Sequence, residues 1–163
     1  MKNDRRAWKV RAHSQADNLI EFLARKEATL DYGIEGLRIA MTKDAIESLI
    51  RMQCPDYSEK RISAHTGQIY RILNETKRGD IFLVPTSKGT KFCIGSVDVD
   101  RPEIKDTKMT FSIKWLRTEI PLEAFQQDMR YSFMAIMKVC EVKRNNALRR
   151  LLAIANGQAD PGN

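Results

Sequence analysis

Asp98 and Asp100 stand just upstream of Glu103 and Lys105. An aspartate ahead of a Glu-x-Lys pair is the bare skeleton of a metal-dependent phosphodiester-cleaving centre, in which acids hold Mg²⁺ and the lysine helps to activate water. The context argues against that chemistry. These residues flank Pro102 in a polar stretch that reads as a hairpin loop, and metal ligands need rigid elements beneath them. There is no Gly-rich phosphate loop of Walker type and no Gly-x-Ser-x-Gly elbow. Cys54, Cys93 and Cys140 form no Cys-x-x-Cys pair, and with only His13 and His65 as partners a zinc site is not expected. Cys93 and Cys140 lie in apolar runs and read as small buried hydrophobes, and both histidines read as locally satisfied. The expectation is a non-catalytic chain without metal or cofactor.

The elements that position any site must fit in 163 residues, about one domain. A hydrophobic content of 42% with 30% charged residues is near globular norms, which excludes a disordered chain, a collagen or a disulfide scaffold. No apolar run approaches a membrane span, and the N-terminus has no apolar h-region, so a soluble cytoplasmic protein with no membrane partner is expected. The net charge is +7, a sign that attracts polyanions. Three runs concentrate it: residues 1–11, residues 77–91, and residues 143–150 with Lys143, Arg144, Arg149 and Arg150. Each run by itself reads as a solvated face; together they can converge into a surface that tracks phosphates.

Alternation of Trp8, Val10 and Ala12 with Lys9 and Arg11 predicts a strand with one face buried. Ser14, with Asp17 as its capping-box partner, opens a helix carrying Leu19, Ile20, Phe22 and Leu23. A short strand is expected over 29–34, a helix after Thr42 closed by Pro55, and a helix from Ser63 ending at Lys77-Arg78-Gly79. Asp80 reads as a structural acceptor at the helix–strand corner. Strands follow over 80–85, 91–99 and 109–116, a helical turn over 122–125, one or two strands within 131–142, and a closing helix over 144–157. Strands joined by short turns favour an α+β fold, a partly closed antiparallel β-barrel flanked by several helices. Residues 1–157 form the single domain, and 158–163 read as a tail or the start of a linker.

Three motifs occur in order: Arg6-Ala7-Trp8-Lys9-Val10-Arg11-Ala12; Arg78 to Pro85 followed by Ile94-Gly95-Ser96-Val97; and Ile113 to Leu116, then Phe125 to Phe133. Together they resemble the N-terminal domain of Mrr-like restriction endonucleases, of the PUA/EVE-like superfamily, over about residues 5–160. The resemblance implies a PUA-like barrel that recognises a modified base, flipped from duplex DNA, in restriction-type defence. It also implies a PD-(D/E)xK nuclease domain as a partner in cis or in trans.

A base reader needs flat rings to stack on and polar groups for the base edge. Trp8, between Arg6, Lys9 and Arg11, and Trp115, between Lys114 and Arg117, are either core anchors or walls of a base pocket. Tyr32 joins them, and Asp31 is either an edge acceptor or a turn cap. Arg5, Arg6, Lys9, Arg11, Lys88, Lys91, Arg117 and Arg130 are the candidate contacts to the nucleic-acid backbone; Arg130 can equally pair with Asp128. Two other readings stay open: a PUA-like RNA-binding domain, and a protein-interaction module whose basic face is incidental.

Overall fold

The computed structural model of the chain describes residues 5–12, 23–86, 89–133 and 137–163. The expected first helix, with its Ser14 cap, Asp17, Leu19, Ile20 and Phe22, lies outside them, as does Lys88.

Strands β1 (Ala7–Val10) and β2 (Glu27–Asp31) come first, then helices α1 (Lys43–Gln53) and α2 (Glu59–Asn74). β3 (Ile81–Thr86), β4 (Lys91–Val97), β5 (Glu103–Lys105) and the long β6 (Lys108–Pro121) follow. A 3-10 turn (Leu122–Ala124) leads to α3 (Gln127–Phe133) and β7 (Val139–Glu141). A second 3-10 turn (Arg144–Asn146) leads into α4 (Ala147–Ala155). The seven strands form one curled half-barrel sheet in the order β2–β6–β4–β3–β1–β7, with β5 also on β6. Among the described residues no helix is long and apolar enough to cross a membrane.

The sheet is mixed rather than antiparallel, because β1 runs parallel to β3, pairing Trp8 with Phe82. The helical crossover between them makes that possible: α1 and α2 lie between β1 and β3 in the chain, and a parallel neighbour needs a long connection. α1 begins where expected, with Thr42 accepting from the Ala45 N–H at 3.2 Å. α2 begins earlier than expected: Ser58, not Ser63, accepts from the Arg61 N–H at 3.1 Å. It also ends earlier, at Asn74, because the Thr76 hydroxyl folds back to the Ile72 carbonyl (2.7 Å), and Gly79 turns the chain into β3 with φ +93°. Residues 131–133, expected as strand, finish α3 instead, which buries Met129 and Phe133.

Both faces of the sheet are covered. Trp8, Val10, Phe82, Val84 and Cys93 point into a core with Ile46 and Ile50 of α1 and Ile69 and Ile72 of α2. Ala7, Ile81, Leu83, Phe92 and Ile94 point the other way, into a core with Phe125, Met129, Leu151 and Ile154. The residues after α4 do not run free as a linker. Asp160 lies against α3 and α4, 2% of its side chain exposed, with both oxygens on Arg150 (2.7 and 2.9 Å).

Candidate functional site

β1 sits between β3 and β7, and all four of its residues are buried. Trp8 is therefore a core residue and not a wall of an open pocket: none of it is exposed, and its indole N–H donates to Asp80 Oδ2 at 2.9 Å. Asp80 is the structural acceptor that the sequence predicts. Its other oxygen accepts from the Arg6 N–H (3.1 Å), and Oδ2 also accepts from the Lys77 N–H (3.2 Å). Lys9 is likewise displaced from the phosphate-contact set. It is fully buried on the second face, its ammonium donating to the Phe133 carbonyl at 3.3 Å, and burial pushes its pKa down. The alternation in 7–12 misleads because the second face of β1, which it assigns to solvent, is covered by the second core.

Tyr32 joins Trp8 in the first core, and Trp115 packs half-buried against it. All three rings thus belong to the packing of one core. The Tyr32 hydroxyl donates to Gln68 Oε1 at 2.6 Å, and burial pushes its pKa up. Asp31 caps a turn, Oδ1 accepting from the Gly33 N–H at 2.8 Å. Beside them lies a group that sequence reasoning left as a lone histidine. His65 meets Tyr32 and Tyr57 edge-on, at ring separations of 5.3 and 5.5 Å. Lys138 stands over the Tyr32 ring and Arg61 over Tyr57, at 4.9 and 3.8 Å.

The other candidate cations separate into two groups. Arg117 donates to the Ile154 carbonyl (2.9 Å), near the C-terminal end of α4, where carbonyls lack helical partners. Arg130 donates to the Phe125 carbonyl (2.7 Å) and not to Asp128, which Arg150 holds instead. Arg11 and Lys91 are exposed and lie together at one end of the sheet, since β1 parallels β3 and Lys91 pairs with Thr86 at the end of β3.

The opposite end of the sheet holds a cleft of about 320 Å³. β1 and β7 pair antiparallel, so the residues before β1 meet those after β7, and Arg5 and Arg6 face Lys143 and Arg149. Ala7, Val142, Ala147 and Leu148 supply apolar wall, and Glu141 is the one carboxylate in the lining among the described residues. Arg6 is committed to its neighbours: it binds Glu141 with two bonds (2.6 and 3.1 Å) and Glu75 at 2.9 Å, with its guanidinium over Trp8 at 4.7 Å. The Glu141 bond raises the Arg6 pKa and holds the Glu141 carboxyl below its usual value. Arg5, also in the lining, donates to the Gly79 carbonyl at 2.7 Å. Asn146 and Ala147 bring the first turn of α4 to the same wall, and Asn146 makes no side-chain cap. The helix dipole therefore adds to the positive field. Arg5 and Arg6 were legible as candidates. Lys143 and Arg149 were visible only as part of a charge run, and that run also contains the wholly buried Arg150.

Asp98 and Asp100 both accept from Arg78, at 3.0 and 3.1 Å, and no group of three His, Cys, Asp or Glu with metal-site geometry occurs among the described residues. No family model, no curated protein and no solved structure matches the chain.

Proposed function

We propose that the chain is a nucleic-acid-binding module that grips a phosphate backbone at the cleft between the ends of β1 and β7. One observation carries this reading. Two basic runs, joined across Arg6 and Glu141 at a separation of 135 residues, meet in one concave site. Arginine and lysine side chains flanking a groove are what phosphate contact requires, and counterion release then makes the affinity depend on salt. The similarity to the N-terminal domain of Mrr-like restriction endonucleases extends the proposal. The partner is duplex DNA carrying a modified base, and the chain is a non-catalytic reader for restriction-type defence, with the nuclease in a neighbouring domain or protein. The curled half-barrel with helices on both faces supports the PUA/EVE-like reading. Of the three candidate rings, Trp115 keeps the most exposed surface, which supports it as the ring that stacks on a base.

The test is a titration at two salt concentrations. The probes are matched duplexes carrying cytosine, 5-methylcytosine, 5-hydroxymethylcytosine or N6-methyladenine, with a single-stranded RNA beside them. Among the described residues Lys143 and Arg149 are the exposed cations of the cleft lining, so log affinity should fall against log salt with a slope of about −2. Lys143→Ala should reduce that slope by about 1 for every probe alike. A tenfold preference for one modified duplex, kept at the higher salt, supports a modified-base reader. Equal binding to all duplexes reduces the function to backbone binding, and preference for the RNA moves it to the RNA-binding alternative. No binding at low salt rejects the cleft as a nucleic-acid site.

A further inference from the structure

Residues 160–163 return to the wall of the cleft, and their contacts are ordered from a buried anchor outward. The anchor is Arg150, with no exposed surface. Its guanidinium holds Asp128 (2.7 and 2.8 Å) and Asp160 (2.7 and 2.9 Å) with paired bonds, and it donates to the Asn145 carbonyl at 3.1 Å. Asp160 also accepts from the Gln126 and Gly162 N–H groups, at 2.8 and 2.9 Å. Further out, the Gly162 carbonyl accepts from Arg149 Nη2 at 3.0 Å, and Asn163 accepts from the Asn146 amide at 2.9 Å. Arg149 and Asn146 line the cleft.

The held wall is not a relaxed one. Asn145 and Asn146 both have left-handed backbone, φ +61° and +57°. Two successive non-glycine residues in that region need surroundings that impose them. The Arg150 bond to the Asn145 carbonyl and the Asn163 bonds to both side chains are such surroundings, the Asn163 amide reaching Asn145 at 3.4 Å. A guanidinium has five donors in a fixed fork, so Arg149 can keep the Gly162 carbonyl and still present donors to an anion. A lone arginine on a helix surface samples many rotamers and loses that freedom on binding.

We infer that residues 160–163 form a clasp that positions Arg149 for anion binding, with Asp160 as its key and the Asn163 bonds to the Asn145–Asn146 turn holding its outer end beside Gly162. This rests on the reading of the cleft as a polyanion site. Arg149 is the contact residue; Asp160, Gly162 and Asn163 are positioning residues acting through it.

The experiment is a double-variant cycle, read by titrating a fluorescein-labelled 15-base-pair duplex at low salt. Wild type, Asp160→Asn, Asn163→Ala, Arg149→Ala and the two combinations with Arg149→Ala are compared. Each is held at a temperature where its circular dichroism is that of the folded protein. Asp160→Asn removes a charge from the Arg150 anchor and lowers stability; Asn163→Ala touches only exposed amides and keeps the anchor, so it covers the case where the first variant does not fold. Loss of a hydrogen bond that orients a contact is on the order of a few-fold in affinity. Asp160→Asn should weaken binding about three- to tenfold, and Asn163→Ala about twofold. In the Arg149→Ala background both losses should vanish, which a general loosening of the fold would not produce. Wild-type affinity in both single variants, or losses that multiply fully with Arg149→Ala, overturns the clasp while leaving the cleft reading intact. Absence of duplex binding by the wild type overturns both.

Discussion

Asp80 shows how one carboxylate decides what a neighbouring ring can do. It is wholly buried and takes donors from Arg6, Trp8 and Lys77, so it fastens the start of β1 to the loop before β3. A ring held on that carboxylate and enclosed on all sides stabilises the fold rather than reading a ligand. Trp8→Phe keeps most of the packing and removes only the N–H donor, leaving Asp80 short of one partner in a buried site. The expected cost is about 1–3 kcal/mol, read as a lower urea midpoint. Duplex affinity and any preference among modified bases should not change at temperatures where the variant is folded. Loss of base preference with unaltered stability would restore Trp8 to the pocket. The same scale explains Lys9. Its type points to solvent, but its strand position buries it: its ammonium donates to the Phe133 carbonyl, and burial pushes its pKa down.

At the scale of elements, the crossing of β4 and β6 organises the half-barrel. β6 is 14 residues long: its first part pairs with β2 and β5 and its second with β4. Register shifts fall between Phe92 and Ile94 and between Ile94 and Gly95, opposite the point where Trp115 lies over β4. A Cβ on Gly95 would collide with the Ile113 side chain and stand 2.9 Å from the Trp115 ring. Gly95→Ala must therefore shift Ile113 or lift Trp115. The expected loss is about 1–3 kcal/mol, with a change in Trp115 fluorescence that a distant destabilising variant would not give. An unchanged midpoint would mean that β6 moves aside freely. The alternation in β6 was legible because Ser112 and Lys114 do face solvent while Met109, Phe111 and Ile113 are buried. The pattern in β1 was not, because no side of that strand is wet. The parallel pairing of β1 with β3 was hidden for a related reason, since local turn signals say nothing about strands joined through two helices. The cleft was half legible. Charge runs mark Arg5 and Arg149, but only the antiparallel meeting of β1 and β7 puts them together, and only the fold separates Arg149 from the buried Arg150.

For the whole molecule, stability should follow pH in two stages, because different groups tie its parts together at different acidities. Two guanidinium centres join remote segments: Arg6 links Glu75, just after α2, to Glu141 of β7, and Arg150 links α3 to residues 160–163. Arg6 holds the Glu141 carboxyl below its ordinary value, and Arg150 does the same for Asp128. Burial opposes charge on Asp160 most strongly, but Arg150 and the N–H groups of Gln126 and Gly162 outweigh it and bring the carboxyl to about 2. A depressed carboxyl pKa means that the unfolded chain takes up protons first as pH falls. That stabilisation is complete above roughly pH 4–5 and is lost toward pH 2; for Asp160 it is on the order of 2 kcal/mol. His65 acts at higher pH. Burial first, then Arg61 and Lys138, push its pKa down, so the folded protein resists the proton that an unfolded histidine accepts near about 6.5. Its effect has the same sign: stability is whole above that pH and declines as the solution is acidified below it. Urea midpoints measured from pH 8 to pH 3 should show a shallow decline below about 6.5 and a steeper one below about 4. His65→Phe keeps a ring between Tyr32 and Tyr57 without a titrating nitrogen, so it should flatten the shallow stage and leave the steep one. A shallow stage that persists in His65→Phe would assign it to a group other than His65. A wild-type profile flat from pH 8 to pH 5 would mean that His65 takes up its proton in the folded protein at no cost.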